Sequence, residues 1–262
     1  MRKVTLCIII AALAMTLGAC SSGNASENND STETISVVTS QEIDHSEETQ
    51  DDALPVANTN TVISDTKNIP QTGYTQSVPS AYKTAAKNKG SVVKIEYDAK
   101  DYARDEALIT KNAYVYTPYG YDENDMQTRY DVVYLMHGWG GHAGEYFDYT
   151  ETKNVFDNLI ENGDIPPVII VSPTFYNENS NTDFSGSITE FRAFHLDFEN
   201  ALMPTVEGQF HTYAQDTSPE GLKASRDHRT FGGFSLGSVT TWLEFCYDHD
   251  YISNFIPMSG SC

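Results

Sequence analysis

The chain is short of cysteine, of basic residues and of long apolar runs, and each shortage argues against a class of protein. Its four cysteines, at positions 7, 20, 246 and 262 of 262, form no C-x-x-C pair and show no cysteine–histidine spacing of the kind a structural zinc site needs. A metal or disulfide framework is therefore not expected to hold the fold. Lysine and arginine number 16 against 37 aspartates and glutamates, a formal charge of −21 that repels a phosphate backbone, and no local basic patch offsets it. Nucleic acid is not an expected partner. The one long apolar stretch, residues 4–17, is too short to span a bilayer comfortably. Yet 39% of the chain is hydrophobic, enough for a sizeable core, so wholesale disorder is excluded as well.

What is present begins with a targeting segment. Arg2 and Lys3 precede the apolar stretch, and Leu17-Gly18-Ala19-Cys20 closes it with small residues at a cleavage site. That ending resembles the lipobox of bacterial lipoproteins, which implies that Cys20 receives a diacylglycerol, becomes the mature N-terminus and anchors the protein to the cell envelope outside the cytoplasm. The alternative is an ordinary cleaved signal in which Cys20 is incidental. Residues 21–70 carry ten acids and one lysine among serine, threonine and asparagine, too little apolar surface to offset their ordering entropy. They read as an acidic tether, with a small separate domain as the alternative. The folded domain is then residues 71–262, itself acidic with 27 acids and 13 bases.

Within it, residues 91–97 (SVVKIEY) and 113–117 (AYVYT) alternate β-branched and aromatic residues, as an opening antiparallel pair of half-buried strands does. Residues 130–136 (YDVVYLM) and 168–171 (VIIV) are continuous apolar runs suited to strands covered on both faces. Residues 152–161 lie between them at helical spacing. A second helix is expected from 190 to about 210, kinked at Pro204, followed by a strand at 229–234, a helix from 236 to about 247 and a strand at 254–258. This alternation predicts an α/β fold, a doubly wound, mostly parallel sheet with helices on both faces.

Two glycine-rich turns carry the chemistry. Gly233-Phe234-Ser235-Leu236-Gly237 is a G-x-S-x-G between an expected strand and an expected helix, the layout of a nucleophile elbow. Small residues at 233 and 237 let strand and helix close on the turn, and Ser235 is presented at a helix N-terminus whose dipole favours developing negative charge. The second turn, His137-Gly138-Trp139-Gly140-Gly141, directly follows the YDVVYLM strand, where glycines let backbone N–H groups face a substrate oxygen. The oxyanion donors expected are the N–H of Leu236 and that of Trp139 or the neighbouring Gly138, with His137 bracing the turn through a hydrogen bond. Each turn alone is also compatible with an ordinary glycine-rich bend.

The segments YLMHGWGG, ALMPTVEGQFHTYA, RTFGGFSLGS and NFIPMSG, in that order, resemble the esterase D-like α/β-hydrolases, and among them the feruloyl and acetyl-xylan esterases of the first carbohydrate esterase family. The resemblance covers roughly residues 91–262. It implies a serine carboxylic-ester hydrolase that removes feruloyl or acetyl groups from plant cell-wall xylan, with Ser235 as nucleophile, the Trp139 and Leu236 amides as oxyanion donors, and no metal or organic cofactor. In that fold an Asp or Glu and then a His follow the serine along the chain, whereas only 27 residues follow Ser235 here. The expectation is a domain truncated before its last strands, with those two residues beyond 262.

No histidine in the chain is placed to substitute. His228 is about 23 Å from Ser235 at strand rise and His249 about 21 Å along the following helix. His137 and His142 are the ones expected near the site, as structural or solvated side chains rather than a metal pair. Cys246 and Cys262 are expected to be free or buried thiols, one of them facing the core. Other readings stay open: another secreted acyl-ester hydrolase, or a non-catalytic surface module or remnant that binds glycans.

Overall fold

The runs YDVVYLM and VIIVS have no polar face to give to water, and the fold buries them accordingly at the centre of a six-stranded sheet. The computed structural model describes residues 77–260. The targeting segment with Cys20, the acidic tether of residues 21–70 and Cys262 lie outside the described residues. In chain order the strands are β1 (Ser91–Lys100), β2 (Leu108–Thr117), β3 (Asp131–Met136), β4 (Val168–Ser172), β5 (Arg229–Phe234) and β6 (Asn254–Met258). Across the sheet they run β1-β2-β4-β3-β5-β6. The β1–β2 and β2–β4 pairs are antiparallel, and the β4–β3, β3–β5 and β5–β6 pairs are parallel. β1, at one edge, alternates buried Ile95, Tyr97 and Ala99 with exposed Lys94, Glu96 and Lys100, a charged rim that discourages further strand pairing.

Alternate residues of the central strands feed two cores. Val132, Tyr134 and Met136 of β3, Ile169 and Val171 of β4 and Phe231 of β5 pack under the helices α4 (Phe184–Asp197) and α7 (Leu236–Tyr247). Val133, Leu135, Val168, Ile170, Ile256 and Met258 pack under α3 (Thr150–Glu161) with Tyr146 of the short α2 (Glu145–Asp148). The period of two along each strand is what supplies both faces. The remaining helices are short: α1 (Ser80–Lys83), α5 (Met203–Gln209) and α6 (Pro219–Ala224).

The strand expectations and the helix after Ser235 agree with this architecture. The helix expected from 190 starts six residues earlier, at Phe184, because Asp183 caps it by accepting the Gly186 N–H at 2.6 Å. Its first turn, Phe184-Ser185-Gly186-Ser187, has weak helix formers, so apolar spacing does not reveal it. Around Pro204 the helix is not continuous: a π-helical segment, Phe198–Leu202, precedes α5, and Pro204 falls in the first turn of α5, where its missing N–H is tolerated. Cys246 is exposed on α7, which corrects the expectation of a core-facing thiol. In α7 it is Thr240, Thr241 and Glu244 that turn inward.

α7 and the residue that caps its end also bury two acids one turn apart. None of the four carboxyl oxygens of Glu244 and Asp248 receives a donor from the described residues. Two carboxylates there would repel, whereas one proton between them makes a hydrogen bond. Burial above all, then Asp248 and Asp197, raises the Glu244 carboxyl well above its ordinary range. Burial also raises Asp248, with Glu199 adding to the rise and Glu244, His195 and His249 opposing it. The folded state therefore holds more protons here than the unfolded state at pH above the usual carboxylate range, and this contribution to stability declines as pH rises. The expected outcome is that Glu244→Gln, whose amide supplies a donor, loses less of its urea midpoint than the parent between about pH 5 and about pH 8; parallel losses would contradict a shared proton.

Candidate active site

The strand order fixes where a site can form. From β3 the chain crosses to β4 on one side, and β5 then takes the other side of β3, so the order reverses at β3. Open α/β sheets bind ligands at such a switch point, outside the carboxyl ends of the strands. The carboxyl end of β3 runs into His137-Gly138-Trp139-Gly140-Gly141, and that of β5 into Ser235. The topology thus brings together the two turns that sequence motifs single out.

Ser235 has φ 56° and ψ −115°, a left-handed conformation that a non-glycine residue adopts only under constraint. Its N–H donates to the Met258 carbonyl of β6 at 2.9 Å, and its own carbonyl accepts from Ser238 at 2.9 Å and Val239 at 3.3 Å in the first turn of α7. The turn is tight because its glycines leave backbones in contact. A Cβ on Gly237 would collide with the Met136 carbonyl oxygen and come within 2.5 Å of that of His137, and one on Gly233 would lie 2.5 Å from the Gly237 carbonyl. Ser235 is partly exposed, and among the described residues nothing hydrogen-bonds its hydroxyl.

The facing turn is held from behind. The Gly138 carbonyl accepts from the His137 Nδ1–H at 2.7 Å and from the Gly141 N–H at 3.2 Å. Because the peptide is planar and trans, a carbonyl pinned on one side sends the Trp139 N–H to the other. Gly138 lies beside the Ser235 turn, the position of a Cβ on it being 3.4 Å from the Ser235 Cβ. The Trp139 N–H and the Leu236 N–H, the first in α7, have no hydrogen-bond partner among the described residues. Two unpaired donors beside a serine hydroxyl form a place where a developing oxyanion would be stabilised.

His137 is buried and occupied at both nitrogens. A carbonyl can only accept, so Nδ1 carries the proton and Nε2 accepts from the Thr174 hydroxyl at 2.7 Å. Burial lowers its pKa to about 4, with His142 and Lys111 adding to the drop and the Gly138 carbonyl opposing it. Its two bonds tie the glycine turn to the loop after β4. His142 is exposed and pairs with Asp148 at 2.5 Å, His228 pairs with Asp131 at 2.6 Å at the far end of the sheet, and His195 stacks on Tyr247. None of them meets Ser235. Among the described residues no group of three or more histidines, cysteines or acids could hold a metal ion.

The loop after β4 is the part of the site that the motifs did not indicate. Phe175 and Tyr176 pack on the His137 ring, Tyr176 bonds to Ser187 at 2.7 Å, and the Trp139 indole N–H donates to the Thr182 carbonyl at 3.0 Å. The run PTFYN directly after VIIVS was the available signal.

A nucleophile elbow and a glycine turn at the switch point of this sheet are the marks of an α/β-hydrolase. More specifically, residues 110–242 match the family model named Esterase, and the chain belongs to that family. It is 37% identical over 183 residues to Endo-1,4-beta-xylanase Y of Acetivibrio thermocellus, an alignment covering 70% of this chain and 15% of that protein. It is 34% identical over 137 residues to Endo-1,4-beta-xylanase/feruloyl esterase of Xylanibacter ruminicola, covering 51% of this chain and 17% of that one. The chain thus spans a small part of the curated relatives it matches. Among solved structures, a serine-to-alanine mutant of the feruloyl esterase module from Clostridium thermocellum, complexed with sinapinate, is 36% identical with TM-score 0.58, over 69% of this chain and 57% of that one. A CE1 ferulic acid esterase from Anaeromyces mucronatus, 23% identical with TM-score 0.54 over 67% and 60%, shares the fold.

Two outcomes follow from this geometry. Replacing Ser235 by glycine relieves the left-handed backbone and should raise the unfolding free energy by about 1 kcal/mol, a gain that Ser235→Ala, which keeps a Cβ, should not show in the same urea melts. His137 is held neutral in the folded state but protonates near its ordinary value when unfolded. Its contribution is full above about pH 6.5 and is lost as pH falls through about 4, about 3 kcal/mol in all. His137→Gln should flatten this acid slope of unfolding free energy, and an unchanged slope would refute it.

Proposed function

We propose that this protein is a serine carboxylic-ester hydrolase that removes feruloyl or acetyl groups from xylan. The observation that carries the reading is the approach of Gly138 to Ser235, which puts the unpaired Trp139 and Leu236 amides beside a strained serine. Ser235 Oγ attacks the ester carbonyl and its proton passes to a general base; the oxyanion rests against the two amides. Collapse expels the sugar hydroxyl, which takes that proton, and water then releases the acid from the acyl-serine. No histidine among the described residues supplies the base, so the reading requires one from elsewhere in the complete protein. The names of the relatives support the substrate class, and the acidity of residues 71–262 favours neutral xylan over anionic polymers. The reading includes attachment to the bacterial envelope through a lipid on Cys20, the work being done outside the cytoplasm.

A second reading has an observation of its own. With no base against Ser235 among the described residues, a glycan-binding module without turnover would show the same geometry. The complete gene product separates the two. The expected result is labelling of Ser235 by a fluorophosphonate and hydrolysis of methyl ferulate, with kcat lowered about 10⁶-fold in Ser235→Ala. Glycan binding without labelling would establish the module instead.

A further inference from the structure

Trp139 and Phe184 are conspicuous for being uncovered: they remain 57% and 56% exposed in a chain whose other site-facing aromatics, Phe175 and Tyr176, are buried. The rings meet edge to face, centroids 5.8 Å apart at 88°, and form an open corner. The corner is fixed in place. The Trp139 indole N–H is tied to the Thr182 carbonyl at 3.0 Å, and Phe184 begins a helix whose cap, Asp183, is bonded to both Gly186 and Asn181. Residues 177–183 (NENSNTD) border it, polar throughout and without a basic residue.

From these features we infer that the Trp139–Phe184 corner is a subsite for a pyranose ring of the substrate's neutral glycan, the alcohol side of the ester. The inference rests on the esterase reading and adds to it the part of the substrate that this surface holds. A ring docked on Trp139 is within one side chain's length of the amide proposed to hold the oxyanion, so its occupant belongs to the molecule being cleaved. The chemistry of the occupant follows from the surface. A planar phenolic ring is held best when enclosed, because pockets bury most of such a ligand. The corner is open instead, both of its rings more than half exposed. A sugar offers an apolar face of C–H groups to an aromatic ring and hydroxyls around its rim. The indole and phenyl faces suit the first, and the exposed Asn179, Thr182 and Asp183 suit the second. An orientation fixed before binding lowers the ordering cost of so small a contact.

The test needs no turnover. Trp139 and Trp242 are the chain's two tryptophans, so in a Trp242→Phe background the fluorescence of Trp139 reports its own surroundings. Titration of the full chain with xylohexaose should give a saturable change, and Phe184→Ala should raise the apparent Kd about five- to tenfold. A change produced by ferulate and not by xylohexaose would overturn the assignment in favour of an acyl site, and no change with either would overturn it outright. Fluorophosphonate labelling of Ser235 in the complete protein, measured in parallel, keeps the two failures apart. A labelled protein that ignores xylohexaose loses the subsite and keeps the esterase reading.

Discussion

The site depends on backbones touching where no side chain fits. At Gly237 the first turn of α7 rests on the carbonyls of Met136 and His137, and at Gly233 the last residues of β5 rest on Gly237. β3, β5 and α7 are thereby locked at a spacing that no Cβ would allow. The residues of the candidate site sit within a residue or two of that contact: Ser235 on one side, Gly138 and Trp139 on the other. The strain at Ser235 is sustained because three elements hold the turn from different directions: β6 through Met258, α7 through Ser238 and Val239, and β3 through the glycine contact.

The rest of the domain keeps those elements in register with buried charge as well as apolar area. Arg229, fully buried at the start of β5, donates to Glu207 of α5, to the Leu222 carbonyl of α6, to Ser225 and to the Tyr251 carbonyl ahead of β6. One guanidinium thus joins four segments at the end of the sheet opposite the site. Lys111 and Asp197 join β2 to α4 at 2.6 Å, and Arg104 joins the β1–β2 loop to Glu190. Buried pairs of this kind add little net stability over an apolar substitute, but losing one partner strands the other, so they penalise misalignment.

How much of this the sequence disclosed depended on the kind of signal. The strands were legible because burial on two faces leaves continuous apolar runs such as YDVVYLM, and the two turns were legible because glycine spacing is a direct record of backbone contact. The start of α4 was not, since a cap and a first turn of serine and glycine have no apolar period. Nor was the orientation of Cys246, because α7 buries threonines and acids where apolar residues were expected. The β4–α4 loop escaped notice because its role is exercised through packing on His137 and Trp139 by residues remote in sequence. Local patterns do not encode such contacts.

That loop is tied to the candidate site at three points. Thr174, Tyr176 and Thr182 all lie on it, touching respectively the imidazole that pins the Gly138 carbonyl, the region of Gly140, and the indole of Trp139. A segment contacting both the Trp139 ring and the scaffold behind the Trp139 amide would, in the proposed esterase, convert recognition at a distance into alignment at the ester carbon. In the proposed esterase, substrate parts settling on the loop would assist the chemical step instead of merely increasing residence, and divergence within this one segment would retune selectivity and turnover together without altering the glycine contact on which Ser235 rests.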